Sequence, residues 1–400
     1  MINNTKQQTM KILIANKFYY NRGGDCVASI ALETLLKEKG HKVAFFSMQH
    51  PLNFHSEWES LFPSLVNFQA NNLQEKLKAT IRIFYSFEVK NKFLTLIERF
   101  KPDVVHLNNI HSQLSPLIGE IAHKKGIKVI WTLHDYKLVC PNYTCLKNKQ
   151  ICTLCIDQRN TYNVLQNKCM KNSYTASLLA YLESIVWNKK RIIKNTDYFI
   201  APSQFMKGIM QKGGFPDSKI KVIPNFTNRN YPLVPSSKDS YYCFIGRLSD
   251  EKGLESLIHV ASQLPYKLII IGSGPMANKY PNMNHIKFIG FKEWKEMAPI
   301  IQKAQFIVIP SEWYEVFGLV SIEAQCLGTP VLGANIGGIP ETINTPQNGS
   351  LFEPRNKDDL KEKIIQMFQT SFDYNQISKE AQERFSADNY YKKIIKLYEQ

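Results

Sequence analysis

The sequence predicts an α/β protein made of two Rossmann-like domains that face each other across a cleft. Three observations carry this. The chain has 400 residues, more than one hydrophobic core ordinarily serves, since domains run to about 150 residues. Short apolar runs alternate with stretches of helical spacing, the pattern of parallel sheets covered on both faces. The two halves also open alike, with strand, glycine loop, helix and strand in that order.

In the first half Lys11–Ala15 is an apolar strand, followed by Asn21-Arg22-Gly23-Gly24-Asp25. Helical spacing runs over Val27–Lys39, Gly40 stops it, and His41–Ser47 reads as the next strand. Val104–Leu107, Lys128–Thr132 and Tyr198–Ala201 are further short strands. In the second half Tyr241–Ile245 is a strand, Gly246–Gly253 a loop and Leu254–Gln263 a helix. Lys267–Ile271 is a strand that runs into Gly272-Ser273-Gly274-Pro275, and Ile286–Ile289, Phe306–Ile309 and Pro330–Leu332 continue the series. Residues 1–225 are expected to form the first domain and 241–400 the second. The linker, 226–240, falls in Pro224–Ser240, which is rich in Pro, Asn and Ser. A last helix over Glu380–Glu399 follows the final strand–helix unit and is free to pack back on the first domain.

Composition narrows the class. Apolar residues make up 44% and charged residues 21%, ordinary for a globular protein and unlike a disordered, collagenous or small disulfide-rich chain. The net charge of +16 is lopsided: residues 1–200 carry 27 basic and 14 acidic side chains, residues 201–400 carry 23 and 20. The first half is built to meet an anion, whether nucleic acid, a membrane surface or a phosphorylated substrate. Runs such as Leu268–Ile271 are far shorter than the ~18 residues a membrane span needs. Ile12–Ala15 after Lys11 is too short for a signal peptide. Five of eight cysteines crowd into Cys140–Cys169, unlike a secreted framework, so the chain reads as cytosolic and the sequon Asn225-Phe226-Thr227 as idle.

In open parallel sheets ligands bind beyond the carboxyl ends of the strands. Gly23-Gly24, at a helix start, lets backbone N–H groups approach a phosphate, though a plain tight turn explains the pair equally. The spacing is not Gly-x-Gly-x-x-Gly, so a nicotinamide site is unsupported. Arg247 and Lys252, at a strand end, form a cationic clamp for a diphosphate, the plainer alternative being a solvated basic loop. Glu315 and Glu323 flank the start of a helix near Gly318, whose free N–H groups at Gly318, Leu319 and Val320 suit an anion. Carboxylates repel phosphate, so these two suit the hydroxyls of attached sugars.

Gly246-Arg247-Leu248 with Glu251-Lys252-Gly253, then Glu315-Val316-Phe317-Gly318-Leu319-Val320 with Glu323-Ala324, then Gly328-Thr329-Pro330-Val331, form one ordered set of motifs. Gly337-Gly338-Ile339-Pro340-Glu341, Gly23-Gly24 and His134-Asp135 join it. With these the chain resembles the retaining glycosyltransferases of the family-4 type, with the GT-B fold, over nearly its whole length. The resemblance implies that Arg247 and Lys252 grip the diphosphate of a nucleotide sugar and that Gly318, Leu319 and Val320 add backbone donors. It implies that Glu323 holds the ribose, Glu315 the transferred sugar, Gly24 the far side of the cleft, and His134 a sugar hydroxyl or the acceptor. A core histidine is the alternative for His134; His106 and His111 read as structural. The leaving diphosphate gains negative charge as the anomeric bond breaks, so cations and helix N-termini stabilise it where the charge develops. No cofactor is required for transfer in this scheme, and no Asp-x-Asp loop is present to hold a divalent metal.

The resemblance assigns the acceptor to the first domain, where the charge lies. Lys76–Lys101 holds Lys76, Lys78, Arg82, Lys90, Lys92, Arg99 and Lys101 against Glu88 and Glu98, with Ile81, Phe84, Phe87, Phe93, Leu94 and Ile97 interleaved. Trp187–Lys194 adds Lys189, Lys190, Arg191 and Lys194. Such segments suit an anionic membrane surface and a lipid-linked or glycan acceptor in polysaccharide assembly, with the enzyme peripheral on the inner face. An ordinary helix with a solvated basic face is the alternative. A nucleic-acid binder lacks any recognisable motif here, and a nucleotide-sugar epimerase of the same fold wants further carboxylate bases in the cleft. Finally, Cys140, Cys152, Cys155 and Cys169 have the types and spacing to hold a structural zinc, with Cys145 in reserve and reduced packed thiols as the alternative.

Overall fold

In the computed structural model, residues 9–66, 73–277, 279–280 and 283–400 are described, the side chains of 73–78 excepted. Two six-stranded sheets, parallel throughout, form the two domains. The first contains β1 (Lys11–Ala15), β2 (Lys42–Phe46), β3 (Val104–Leu107) and β4 (Lys128–Thr132). A two-stranded hairpin, β5 (Leu146–Lys147) and β6 (Gln150–Ile151), interrupts the series before β7 (Tyr198–Ala201) and β8 (Ile220–Val222) complete the sheet. Its order is β2-β1-β3-β4-β7-β8.

The second sheet is built from β9 (Tyr241–Ile245), β10 (Lys267–Ile271), β11 (Ile286–Phe288), β12 (Ile307–Ile309), β13 (Val331–Ala334) and β14 (Gly349–Phe352), in the order β11-β10-β9-β12-β13-β14. The strands are continuous apolar runs because helices cover both faces: Ile12, Leu13, Ile14, Val104 and Val105 are wholly buried, as are Leu268, Ile270 and Ile307. In the second sheet the order of strand addition reverses between β9 and β12. At such a switch point the loops from two neighbouring strands diverge and leave a crevice. Those loops are Gly246–Gly253 and Pro310–Gly318.

The sequence reading did not mark β8 and β14, and it placed two helices differently. The first helix is Gly24–Glu38, three residues earlier than the apolar spacing suggested, because Gly23 is extended and takes the cap position. The expected last helix is two, Tyr374–Arg384 and Ala387–Glu399. Phe385 is buried with Phe317, Ile322 and Cys326, and the Ser386 hydroxyl accepts from Asn389 N to start the final helix. Tyr374–Arg384 stays with the second domain, where Ser378 Oγ donates to Cys326 O at 2.6 Å. Ala387–Glu399 crosses to the first core, burying Tyr390, Ile394 and Tyr398 there. Two histidines seat it: His41 Nε2 lies 2.6 Å from Tyr391 Oη, and His106 Nδ1 lies 2.6 Å from Tyr398 Oη.

Among the described residues, no helix is long and apolar enough to cross a membrane.

Candidate active site

The loop after β9 is shaped by close approach. Gly253 has φ 70°, and a Cβ on it would fall 1.7 Å from Pro310 O. Only glycine fits, so the ends of the two switch-point loops touch. Asp250–Lys252 is a short 3-10 turn, from which Lys252 Nζ reaches Glu315 Oε1 at 2.5 Å. Arg247, on the exposed lip, is paired with Glu251, and its Nε donates to Ser249 Oγ at 3.2 Å. Lys252 and Glu315, 63 residues apart, are thus brought together; Arg247 turns to its own loop.

Glu315 is buried and satisfied on one oxygen. Ser311 Oγ (2.7 Å) and Trp313 Nε1 (2.8 Å) donate to the same Oε1 as Lys252. Burial pushes its carboxyl up, but the charge and hydrogen bond of Lys252, with Trp313 and Ser311, hold it below the ordinary value. It is therefore an anion at neutral pH. Its backbone is fixed from behind: a Cβ on Gly337 would lie 2.4 Å from Glu315 O, and Gly338 N donates to that carbonyl at 2.7 Å. The motif Gly337-Gly338 is a seat for the loop backbone at Glu315.

The helix Leu319–Cys326 follows, capped by Gly318 at φ 96° with no side-chain cap. Its first N–H groups are available to an anion. Glu323, one and a half turns in, is buried and accepts from Arg229 Nε at 2.9 Å. Burial raises its pKa against the opposing pull of Arg229. Arg229 also stacks over Trp294, 4.1 Å from the ring centre.

Across the cleft, Gly24 begins the helix Gly24–Glu38, and a Cβ there would lie 3.6 Å from Leu319 Cδ1. Two helix N-termini, one from each domain, therefore meet. Beside them His134 Nε2 lies 2.9 Å from Asn108 Oδ1. Burial lowers the His134 pKa to about 4 although Asp25 favours its cation, so it is neutral at pH 7. Asp25 is held low by Lys17, by His134 and by Asn109 Nδ2 at 2.9 Å, against its burial. Lys17, Asp25, Asn109 and Arg229 were not singled out from sequence. Asp25 directly follows the glycine pair, which was the one signal for it; Arg229 sits in the linker, where nothing marked it.

The domains also meet at Ser203, whose Oγ donates to Val316 O at 2.6 Å. Glu341 accepts from Gln204 N and Phe205 N at 2.7 Å each, capping the helix Gln204–Lys212 of the other domain.

Outside the cleft, His106 is buried between Tyr398 Oη and Thr132 Oγ1 (2.7 Å), and His111 stacks on Trp131. The basic segments are only partly surface charge. Arg82 is buried, paired with Glu88 and bonded to Ser64 O at 2.6 Å. Lys92 Nζ donates to Phe62 O at 2.5 Å. Arg191 pairs with Glu120 at 2.6 Å and covers buried Trp187. Lys90, Arg99, Lys101, Lys190 and Lys194 remain at the surface with Ile81 and Phe87 (72% exposed); the side chains of Lys76 and Lys78 lie outside the described residues.

All eight cysteines are free. Cys140 and Cys145 share a hydrogen bond that makes Cys140 the more acidic; Cys155 and Cys169 lie within electrostatic reach of Cys140, and Cys152 within reach of Cys145, Cys155 and Cys169. Among the described residues no group of three or more His, Cys, Asp or Glu side chains is gathered to hold a metal ion.

Comparison with known proteins places this geometry. The profile described as Glycosyltransferase Family 4 matches residues 30–231, and that described as Glycosyl transferases group 1 matches residues 230–384. An uncharacterised 42.6 kDa protein from the cps region of Klebsiella pneumoniae is 29% identical over 350 residues, covering 83% of this chain and 87% of that one. An uncharacterised glycosyltransferase of Methanocaldococcus jannaschii is 27% identical over 350 residues, covering 84% and 94%. The structure of Anabaena HepE in complex with UDP-glucose superposes with a TM-score of 0.64 at 19% identity, covering 97% and 99%, which speaks for the fold.

Proposed function

The chain belongs to glycosyltransferase family 4 and is a glycosyltransferase with the two-domain GT-B fold, and from that premise we propose that it moves a sugar from a nucleotide-diphosphate donor to a lipid-linked or glycan acceptor with retention at the anomeric carbon. The observation that carries the donor half is the meeting of two helix N-termini that lack a side-chain cap, at Gly24 and Leu319, beside the Lys252–Glu315 pair. A diphosphate beside Leu319 would take backbone donors from Gly318, Leu319 and Val320 and cations from Lys252 and, once it leaves Glu251, from Arg247. UDP-glucose in Anabaena HepE supports a nucleotide sugar as the donor.

The residues divide the work. As the glycosidic bond to the diphosphate lengthens, Lys252, Arg247 and the helix N-terminus stabilise charge on the leaving oxygen. Lys252 must then exchange part of its contact with Glu315 for phosphate, leaving the Glu315 carboxylate to hold hydroxyls of the transferred sugar. Glu323 holds the ribose, with Arg229 opposing the upward push of burial on its carboxyl. His134, neutral, hydrogen-bonds the sugar or the acceptor without adding charge. In this scheme none of the described residues is assigned as a covalent nucleophile; the acceptor attacks from the leaving-group face and the phosphate takes its proton. That route keeps the anomeric configuration.

The relative from a cps region supports a role in polysaccharide assembly. The surface cations with exposed Ile81 and Phe87 support docking on an anionic membrane from the cytoplasmic side. A zinc on Cys140, Cys152, Cys155 and Cys169 would be structural, and binding would draw the four sulfurs onto one centre at about 2.3 Å. Incubation with a panel of labelled nucleotide sugars tests the central reading. Acceptor-dependent transfer giving a product with the donor's anomeric configuration by NMR supports it. Interconversion of the donor without acceptor points to an epimerase, and an inverted product removes retention.

A further inference from the structure

The cysteine-rich excursion after β4 takes no part in the scheme above, yet it crosses the cleft. Its hairpin β5–β6 pairs Leu146 with Ile151 and Lys147 with Gln150, which leaves a two-residue turn at Asn148-Lys149. Both turn residues have positive φ, 49° and 63°. Turns of this hand favour glycine at the second place, because a side chain there is strained. Lysine at that place has no local justification.

Its partners lie on the other domain. Lys149 Nζ sits 2.9 Å from Asp250 Oδ2, at the start of the Asp250–Lys252 turn. The Lys149 carbonyl accepts from the Arg355 guanidinium. Arg355 follows β14 and is itself a non-glycine at φ 66°. Its Nε is 3.3 Å from Glu312 Oε2, and Glu312 N donates to Glu251 O at 2.9 Å. Each domain thus offers one residue in a left-handed conformation, the two meet across the cleft, and both lead to the loop that carries Arg247 and Lys252. Strain kept at two facing positions is the kind that functional contacts maintain.

We propose that the tip of this hairpin is a latch in which Lys149, with Arg355, positions the Arg247–Gly253 loop for the donor diphosphate. Lys149 is then a positioning residue, and this rests on the reading of that loop as the phosphate clamp. Fixing Asp250 fixes the turn from which Lys252 extends toward Glu315. Releasing the tip lets the turn loosen, so Lys252 reaches the diphosphate less often. The ion pair is exposed, 70% on Lys149 and 41% on Asp250, so its effect is a modest adjustment of donor affinity.

Lys149→Gly is the informative variant, because glycine relieves the turn and keeps the hairpin while removing the cation. Amide hydrogen exchange over 250–253 without nucleotide, UDP binding by calorimetry, and donor KM against kcat are compared with Lys149→Arg and with the swap Lys149→Asp/Asp250→Lys. Lys149→Gly is expected to speed exchange in the loop, weaken UDP roughly two- to fivefold and raise donor KM with kcat nearly constant. Lys149→Arg and the swap restore all three. Unchanged loop exchange and unchanged UDP affinity in Lys149→Gly overturn the latch, as does an Asp250→Lys effect that the swap fails to rescue. Arg247→Ala separates the two readings. If it leaves UDP affinity intact, or if wild-type protein does not bind UDP, the clamp reading for that nucleotide fails and loop exchange alone decides the latch. If Arg247→Ala weakens UDP and Lys149→Gly does not, the clamp stands and the latch falls.

Discussion

Replacing Lys252 by methionine keeps the length and apolar stem of the side chain and removes one charge from the centre of the site. Two separate effects follow from the geometry. The first concerns the leaving group. A preorganised charged contact to a developing oxyanion contributes about 3–4 kcal/mol, so turnover should fall about 10²–10³-fold. The second concerns Glu315, whose Oε1 lies 2.5 Å from the missing ammonium. Removing one partner of a fully buried ion pair costs about 3–5 kcal/mol. Lys252 is 24% exposed at its side chain, and Ser311 and Trp313 remain as donors, so a stability loss of about 2 kcal/mol is expected. The sign of the pH effect is fixed by the causes of the shift. In the wild type Lys252 holds the Glu315 carboxyl below its ordinary value against burial. The stability it contributes is present above the unfolded pKa and lost as pH falls through the folded one. Without Lys252, burial dominates and the folded pKa rises. The acid limb of kcat/KM should therefore move to higher pH in Lys252→Met, so that activity falls in mildly acidic buffer where the wild type still works. Steady-state rates from pH 4 to 8, with thermal unfolding to confirm folding, measure both effects. Turnover within a few fold of wild type, or an acid limb that stays in place, would refute the role given to Lys252.

Glu323→Gln leaves Arg229 facing a neutral amide and should weaken the bare nucleotide about tenfold by calorimetry, the loss of one charged hydrogen bond; full affinity would remove the ribose assignment. Burial pushes the His106 pKa to about 3, so the unfolded chain gains a proton below pH 6.5 that the folded chain refuses. Its contribution is complete above 6.5 and falls by about 2–3 kcal/mol by pH 4.5, and His106→Gln should flatten that part of the thermal-stability curve. Membrane docking predicts binding to anionic phospholipid vesicles that salt weakens, with Phe87→Ser combined with Lys90→Glu reducing it and transfer to soluble acceptors unchanged; no binding at low salt removes docking. Metal analysis of purified protein should find about one zinc per chain if Cys140, Cys152, Cys155 and Cys169 form a staple, and its absence removes the zinc.

The two-sheet architecture was legible because a parallel strand covered on both faces must be apolar at every position. Ile12, Leu13 and Ile14 announce β1 without any help from partners. Gly253 and Gly337 were legible only as members of motifs. Their physical reason, carbonyls of Pro310 and Glu315 standing where a Cβ would be, belongs to loops far away in sequence. Charge was the least legible property. Counting treats Arg82 and Lys90 alike, but Arg82 is a buried partner of Glu88 and Ser64, and Lys92 is tied to Phe62 O. Composition therefore gives the first half its excess charge but does not say which of its cations face solvent.

Two of the residues that escaped, Arg229 and Lys149, have partners far away in the chain. Arg229 meets Glu323 from 94 positions away, and Lys149 meets Asp250 from the other domain. Neither has a local pattern, because neither stabilises the element it sits on. Arg229 lies in a linker without helix or strand, and Lys149 makes its own turn worse. A residue that is locally unfavourable and distantly satisfied is invisible to propensity and period. Backbone angles add a cue that is not specific: among the described residues twelve non-glycines have positive φ, and Lys149 and Arg355 are two of them that meet between the domains. What separates Lys149 and Arg355 from a residue such as Lys101, whose positive φ only ends its own helix, is that their partners lie on distant elements.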